Sequence, residues 1–218
     1  LGAGAEIELV EGNNGRWDTK EIKAKLAEIR AAGKTPLKRA DYDKGHAMAD
    51  KLREHPWASK LFEPGTGQPE KAIVWRDRST GVWCRALLDW LPNPTGRRFI
   101  FRDYKTARSA NPSTFDKHMY DYGYHIQMAF HLMGLRALGL AGDDAQALLV
   151  VQEKDPPYVV TVIQPDPIAM RIGALNAREA LLTYAECATA GRWPGYSDEV
   201  EVVGLPTWVE NQYREELA

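Results

Sequence analysis

The stretch from Lys71 to Thr106 constrains this chain most, because it reads as three short strands joined by two tight turns. Lys71–Arg76 and Val82–Trp90 are strand-like runs joined by Asp77-Arg78-Ser79-Thr80-Gly81, which predicts a hairpin. Pro92-Asn93-Pro94-Thr95-Gly96 then turns the chain into a third strand, Phe99–Tyr104. Helical periodicity surrounds this block. Thr19 to Ala32 predicts an amphipathic helix capped by Thr19 and closed by Gly33, and Asp41–Glu54 a second one stopped by His55-Pro56. Phe115 to Leu138 and Pro165 to Ala190 read as long helices. Between them Ala147–Gln152 and Tyr158–Ile163 form a second hairpin across Asp155-Pro156-Pro157. Glu6–Val10 is strand-like, and Asn13-Asn14-Gly15 and residues 64–69 are turn or loop. The order predicts an α/β fold, a central mixed β-sheet flanked by helices. Its 218 residues suit a single domain: a mainly helical part over 1–62, a core over 70–190 and a turn-rich tail over 191–218.

Composition narrows the class. No run approaches the ~18–20 apolar residues that span a bilayer, and the start lacks the basic, apolar and cleavage regions of a signal peptide. Two cysteines, Cys84 and Cys187, exclude a disulfide framework and a four-cysteine metal site, and suit a reducing cytoplasm. The net charge of −2 hides a gradient. Residues 1–109 carry 21 Lys and Arg against 15 Asp and Glu, whereas residues 110–218 carry 7 against 15. A basic half of that kind can follow a phosphate backbone; clustering on solvated helix faces gives the same count.

The chemistry concentrates at Asp89, Asp103 and Lys105. Strand alternation puts Asp103 and Lys105 on one side of their strand, with Asp89 at the end of the adjacent hairpin strand. Two carboxylates with a backbone carbonyl make the hard oxygen cage that Mg²⁺ or Mn²⁺ requires. A nearby lysine can orient a water or neutralise developing phosphorane charge. The same residues also fit a strand-end ion pair, with Asp89 capping a turn.

Asp89, then Asp103-Tyr104-Lys105-Thr106, then Tyr124-His125-Ile126-Gln127 resemble the PD-(D/E)xK nuclease superfamily with its restriction-endonuclease-like core. Lys34-Thr35-Pro36-Leu37, the strand Gly81–Ala86 and Trp193-Pro194-Gly195-Tyr196 make the chain similar to its RecE-type (exodeoxyribonuclease VIII-like) exonucleases, with lambda exonuclease a more distant relative. The resemblance implies that Asp89, Asp103 and the carbonyl of Tyr104 hold metal and that Lys105 is the catalytic lysine. Glu70 matches a glutamate near the scissile phosphate; a solvated loop carboxylate is its plain alternative. Arg85, Thr106, Arg108 and Ser109 would contact DNA, the last two at a terminal 5′-phosphate. The wider basic set includes Arg97, Arg98, Arg102 and Lys117.

The long helix supplies a polar stripe, Tyr120, Tyr124, Gln127 and His131 at i, i+4, i+7 and i+11. The family's Q-x-x-x-Y motif maps to Gln127 and His131, so His stands where the pattern has Tyr. Gln127 and Tyr124 would position the nucleic acid, although an aromatic packing face gives the same spacing. The family's metal-binding histidine would fall a few residues upstream of Leu1, and His46, His118 and His125 fit no ligand role.

The implied activity is Mg²⁺-dependent exonucleolytic digestion of linear duplex DNA from its ends, 5′→3′, leaving single-stranded tails for recombination. The implied assembly is a ring-shaped homo-oligomer, a trimer or tetramer, working with a single-strand annealing protein and without a membrane. A structure-specific endonuclease or flap nuclease of the same superfamily, and a non-catalytic DNA-binding assembly module, are the alternatives.

Overall fold

The computed structural model describes residues 6–12, 15–94 and 98–216. A small parallel sheet opens it, β1 (Ile7–Leu9) pairing with β2 (Thr35–Leu37) around the connecting helix α1 (Lys20–Ala31). Thr19 caps α1 by accepting from the Ile22 amide at 3.3 Å, and Leu26 and Ile29 pack with Val10 beneath it. Then follow α2 (Arg39–Glu54), α3 (Ala58–Leu61), β3 (Gly67–Arg76), β4 (Trp83–Pro92) and β5 (Ile100–Ala107). The chain continues through α4 (Pro112–Asp121), α5 (Tyr124–Ala137), β6 (Gln146–Glu153), β7 (Val160–Ile163), α6 (Pro167–Ala190) and α7 (Thr207–Gln212).

The central sheet has the order β3-β4-β5-β6-β7. Its β5–β6 pair is parallel, as a crossover through α4 and α5 requires, and the other pairs are antiparallel. The mixed α/β architecture expected from the sequence is therefore present. One face packs Leu88, Phe101, Leu149 and Val151 against Met128, Leu132 and Leu135 of α5. The opposite face packs Trp90 and Val150 against Leu52, Ala58, Leu61 and Phe62. At about 25 cal/mol per Å² of apolar surface, these two layers supply most of the driving force for folding. No described helix is long and apolar enough to cross a membrane.

The long helix expected over Phe115–Leu138 is two helices. The chain breaks at Tyr122–Gly123, where Gly123 adopts φ +64, a left-handed conformation that a side chain disfavours. The Ile126 and Gln127 amides donate to its carbonyl, each at 3.0 Å, so the glycine starts α5 rather than continuing α4. Tyr120 ends up on α4 and is 73% exposed, which removes it from the expected stripe. Gly173 of α6 meets the backbone of α5 so closely that a Cβ there would lie 2.2 Å from the His125 carbonyl oxygen. The strands also outrun their expected ends: β3 begins inside the expected loop and β5 runs on to Ala107. The expected turn residues Asn13, Asn14, Thr95 and Gly96, the opening Leu1–Ala5, and Arg97 lie outside the described residues.

Candidate active site

The site is built where the regular ladder fails. Leu88 belongs to the core under α5, yet Trp90, two residues later, belongs to the core on the other face. Strict alternation would put both on one side, so the alternation of faces slips at Asp89, although the pairing register with β3 runs through unbroken. The β3–β4 register pairs Pro69 with Trp90 and Lys71 with Leu88, placing Glu70 opposite Asp89. Glu70 has φ +49, an uncommon conformation for a residue with a side chain. Its carboxylate is exposed.

The slip opens a gap between β4 and β5, whose only registered pair among the described residues is Trp90 with Arg102. Asp89 fills it from the side: its Oδ2 accepts from the Tyr104 amide at 2.8 Å, replacing a ladder hydrogen bond. A strand residue turns its N–H and C=O to the same neighbour, so the Tyr104 carbonyl faces the gap as well. The Tyr104 ring goes to the other face, where its hydroxyl donates to Gln152 Oε1 at 2.6 Å.

Asp103 stands at the centre, fully buried. Gln127 Nε2 of α5 donates to its Oδ1 across a long 3.4 Å. Lys105 Nζ lies against Oδ2 in a close ion pair, so this buried oxygen is held by the ammonium alone. Burial pushes the Asp103 carboxyl up to about 6; the Lys105 charge opposes that shift and the Asp89 charge adds to it. Lys105 also lies 5.1 Å over the Tyr124 ring at the start of α5. Burial raises the Tyr124 hydroxyl above its usual range.

His131, one turn beyond Gln127, is the residue whose importance the sequence understates. It is 5% exposed, packs edge-on to Phe101 at 5.4 Å, and its Nδ1 is buried without a partner among the described residues. Burial first, then the Lys105 charge, holds its pKa down to about 4, so it is neutral at physiological pH. The one available signal is its spacing from Gln127.

The other expected site residues lie further out. Thr106, Arg108 and Ser109 are exposed at the end of β5 and in the loop after it. Ser109 Oγ accepts from the Asn111 amide at 3.2 Å, beside the α4 cap. Arg85 is exposed opposite Val74, four residues before Asp89. Arg102 points away from Asp103, to the opposite face of the sheet. His46 packs at a tilt against the Tyr42 ring, and His125 sits under the α4–α5 junction near the Met119 carbonyl.

Among the described residues no three His, Cys, Asp or Glu side chains form a metal cluster. Asp89, Asp103 and the Tyr104 carbonyl nevertheless form an all-oxygen set with two carboxylates close enough to act on each other, the donor chemistry a hard cation takes. The residues therefore fit Mg²⁺ or Mn²⁺, with water completing the shell.

A family model described as a PDDEXK-like domain of unknown function (DUF3799) matches residues 8–206. A crystal structure described as a proposed exonuclease from Eubacterium rectale superposes with a TM-score of 0.54 at 14% identity, covering 88% of this chain and 72% of that one. At that identity it supports the fold alone. The crystal structure of SSO0001 aligns at a TM-score of 0.36 and 14% identity over 75% of this chain and 69% of that one, too loosely to bear on the argument. No curated protein matches the chain.

Proposed function

The chain belongs to the family of PDDEXK-like domains of unknown function (DUF3799), and from that premise we propose that it is a Mg²⁺-dependent DNA exonuclease. It would digest linear duplex from its ends in the 5′→3′ direction and leave single-stranded tails for recombination. The observation that carries this reading lies between β4 and β5, where Asp89 accepts from the Tyr104 amide, its charge acts on the buried Asp103, and Lys105 pairs with Asp103. The Eubacterium rectale structure, which shares the fold, is itself described as a proposed exonuclease.

Asp89, Asp103 and the Tyr104 carbonyl would hold the cation, which when bound supplies Lewis acidity toward the phosphate and a lowered pKa for its water. The residues do the rest. Lys105, 17% exposed and paired, remains available to face charge gathering on the phosphate oxygens as the nucleophile attacks. Gln127 and Tyr124 stand at one end of α5 and would orient the strand against that site. Glu70, opposite Asp89 and exposed, would meet the nucleic acid or its water. Arg85, Thr106, Arg108 and Ser109 would hold backbone phosphates, since none presents a base-reading helix. A closed ring of three or four copies would keep the enzyme on duplex DNA, with a single-strand annealing protein receiving the tail, in the cytoplasm.

The experiment is digestion of 5′- and 3′-labelled linear duplex and of a covalently closed circle, in Mg²⁺ and in EDTA. Mg²⁺-dependent loss of label from linear ends with the circle intact supports the proposal. Cutting of the circle contradicts it in favour of an endonuclease, and no cutting of any substrate contradicts the catalytic assignment.

A further inference from the structure

The face of the sheet turned away from Asp103 carries a second, differently built place. Arg102 precedes Asp103 in β5, so strand alternation sends its side chain to the opposite face. It is 5% exposed, and among the described residues no carboxylate lies within ion-pair reach of it. Nη1 donates to the Ile100 carbonyl at 3.2 Å and Nη2 to Thr66 Oγ1 at 3.4 Å, while the Trp90 ring lies 5.5 Å away. Nε is buried with no acceptor among the described residues. Burial pushes the guanidinium down to about 10, so it stays charged at neutral pH. A buried charge without a counter-charge is costly to keep.

This side chain lines a cavity of about 660 Å³ between the ends of α3, β4 and β5, with Lys60, Arg98, Asp144, Asn93 and Thr66 also on its wall. Arg98 is paired with Asp144 at 3.6 Å, which leaves Lys60 and Arg102 on the wall without a carboxylate in ion-pair reach among the described residues. We propose that this cavity binds a phosphate dianion, free or as the terminal group of a monoester, with Arg102 as its anchor and Lys60 at its rim. A phosphate monoester carries about −1.5 to −2 at pH 7, which matches the surplus. The planar guanidinium fork suits two phosphate oxygens at once. The cavity falls in the ~300–1,000 Å³ range of small-molecule sites, room for more than the phosphate group itself. The ligand is therefore free orthophosphate or the phosphate of a nucleoside 5′-monophosphate. The site is separate from the Asp89–Asp103–Lys105 gap and does not depend on the function proposed for that gap.

The test is calorimetric titration of the whole chain in EDTA with inorganic phosphate and with deoxyadenosine 5′-monophosphate, against acetate at equal ionic strength. Melting temperatures are taken over the same range, because binding stabilises as RT ln(1 + [L]/Kd). The expected result is saturable binding of at least one phosphate probe and none of acetate. Affinity should fall about tenfold or more in Lys60→Ala and vanish in Arg102→Met, as expected for lost charged hydrogen bonds, while Asp103→Asn leaves it unchanged. Tighter binding of the nucleotide identifies a nucleotide site; equal binding identifies orthophosphate. In phosphate-free buffer Arg102→Met should melt no lower than the parent, since an unpaired buried charge is removed. If Arg102→Met does not fold, Lys60→Ala alone decides. Absence of saturable phosphate binding, equal binding of acetate, or parental affinity in Lys60→Ala overturns the proposal.

Discussion

Two aspartates in this molecule present little surface to solvent and behave oppositely. Asp77, at the β3–β4 turn, is 7% exposed; Asp103, in β5, is 0% exposed. Burial raises both carboxyls. At Asp77 that is outweighed by donors from Ser79, Arg178 and Thr80, which hold it well below the usual carboxylate range. Arg178 Nη1 lies 2.8 Å from both Asp77 oxygens and ties the turn to α6. Asp103 has one long hydrogen bond and one ion pair, and its carboxyl stays near 6. The sequence could have supplied Asp103 with donors as generously as Asp77, and does not. A buried polar group that is fully partnered holds the fold together, whereas one left short is available to a ligand.

The largest effect should come from exchanging the two. Asp103→Asn or Asp89→Asn should lower Mg²⁺-dependent turnover by about 10²–10³, the scale of removing one transition-state contact, without lowering the melting temperature. Asp77→Ala should do the reverse. It breaks a buried ion pair, worth about 3–5 kcal/mol when both partners are buried, but Arg178 is 38% exposed and the loss should be nearer 2–3. Turnover per folded molecule should stay at the parental level. Thermal unfolding alongside single-turnover cleavage reads both, and a large loss of stability in Asp103→Asn would erase the contrast.

The same division runs along α5. Leu132→Ala should cost about 2–5 kcal/mol, because that side chain is buried in the core against the sheet. Gln127→Ala, whose one side-chain hydrogen bond among the described residues is the 3.4 Å approach to Asp103, should cost little stability and about tenfold in rate. If Gln127→Ala instead lowers the melting temperature as much as Leu132→Ala and spares the rate, Gln127 is packing.

How much of this is legible in the sequence depends on the range of the interaction responsible. The meeting of Asp89, Asp103 and Lys105 is legible, because strand alternation and one short turn suffice to place them. Thr19 as the cap of α1 is legible for the same reason. The slip at Asp89 is not: it shows only when Leu88 and Trp90 are found in different cores, which requires partners from α5 and α3. The break at Gly123 hides inside a helical period, since one glycine in a long apolar pattern gives no sign of taking φ +64. Arg102 reads as one more basic residue near Asp103 until the opposite face of the sheet is seen. The pairing of β1 with β2 joins segments almost thirty residues apart, beyond any local signal.

The smallest effect expected is a cancellation. Asp103 has its folded pKa raised, so its contribution is fully present below about pH 4 and is lost as the pH rises through about 6. His131 has its folded pKa lowered, so its contribution is present above about pH 6.5 and is lost as the pH falls through about 4. Each shift corresponds to at most about 3 kcal/mol, and the two oppose each other over one window. Without metal, the parent should therefore lose little stability between pH 4 and 6.5. Asp103→Asn should become less stable toward acid, and His131→Gln less stable toward neutral pH. Denaturant unfolding at several pH values measures this; parallel slopes in both variants would show that the two groups are not the ones titrating.

The central claim is that the under-partnered site, with Lys105 as its cation, performs phosphodiester hydrolysis. Lys105→Arg tests it most directly, because arginine keeps the charge and would preserve an ion pair with Asp103. Its planar fork does not reproduce the compact ammonium, and it cannot give up a proton. The measurement is single-turnover cleavage of a 5′-phosphorylated duplex in Mg²⁺, with binding to the same duplex followed in Ca²⁺. The account predicts that Lys105→Arg and Lys105→Ala both fold, both bind, and both cleave at least ~10² more slowly than the parent. Cleavage by Lys105→Arg within a few-fold of the parent would contradict it and reduce Lys105 to a structural partner of Asp103.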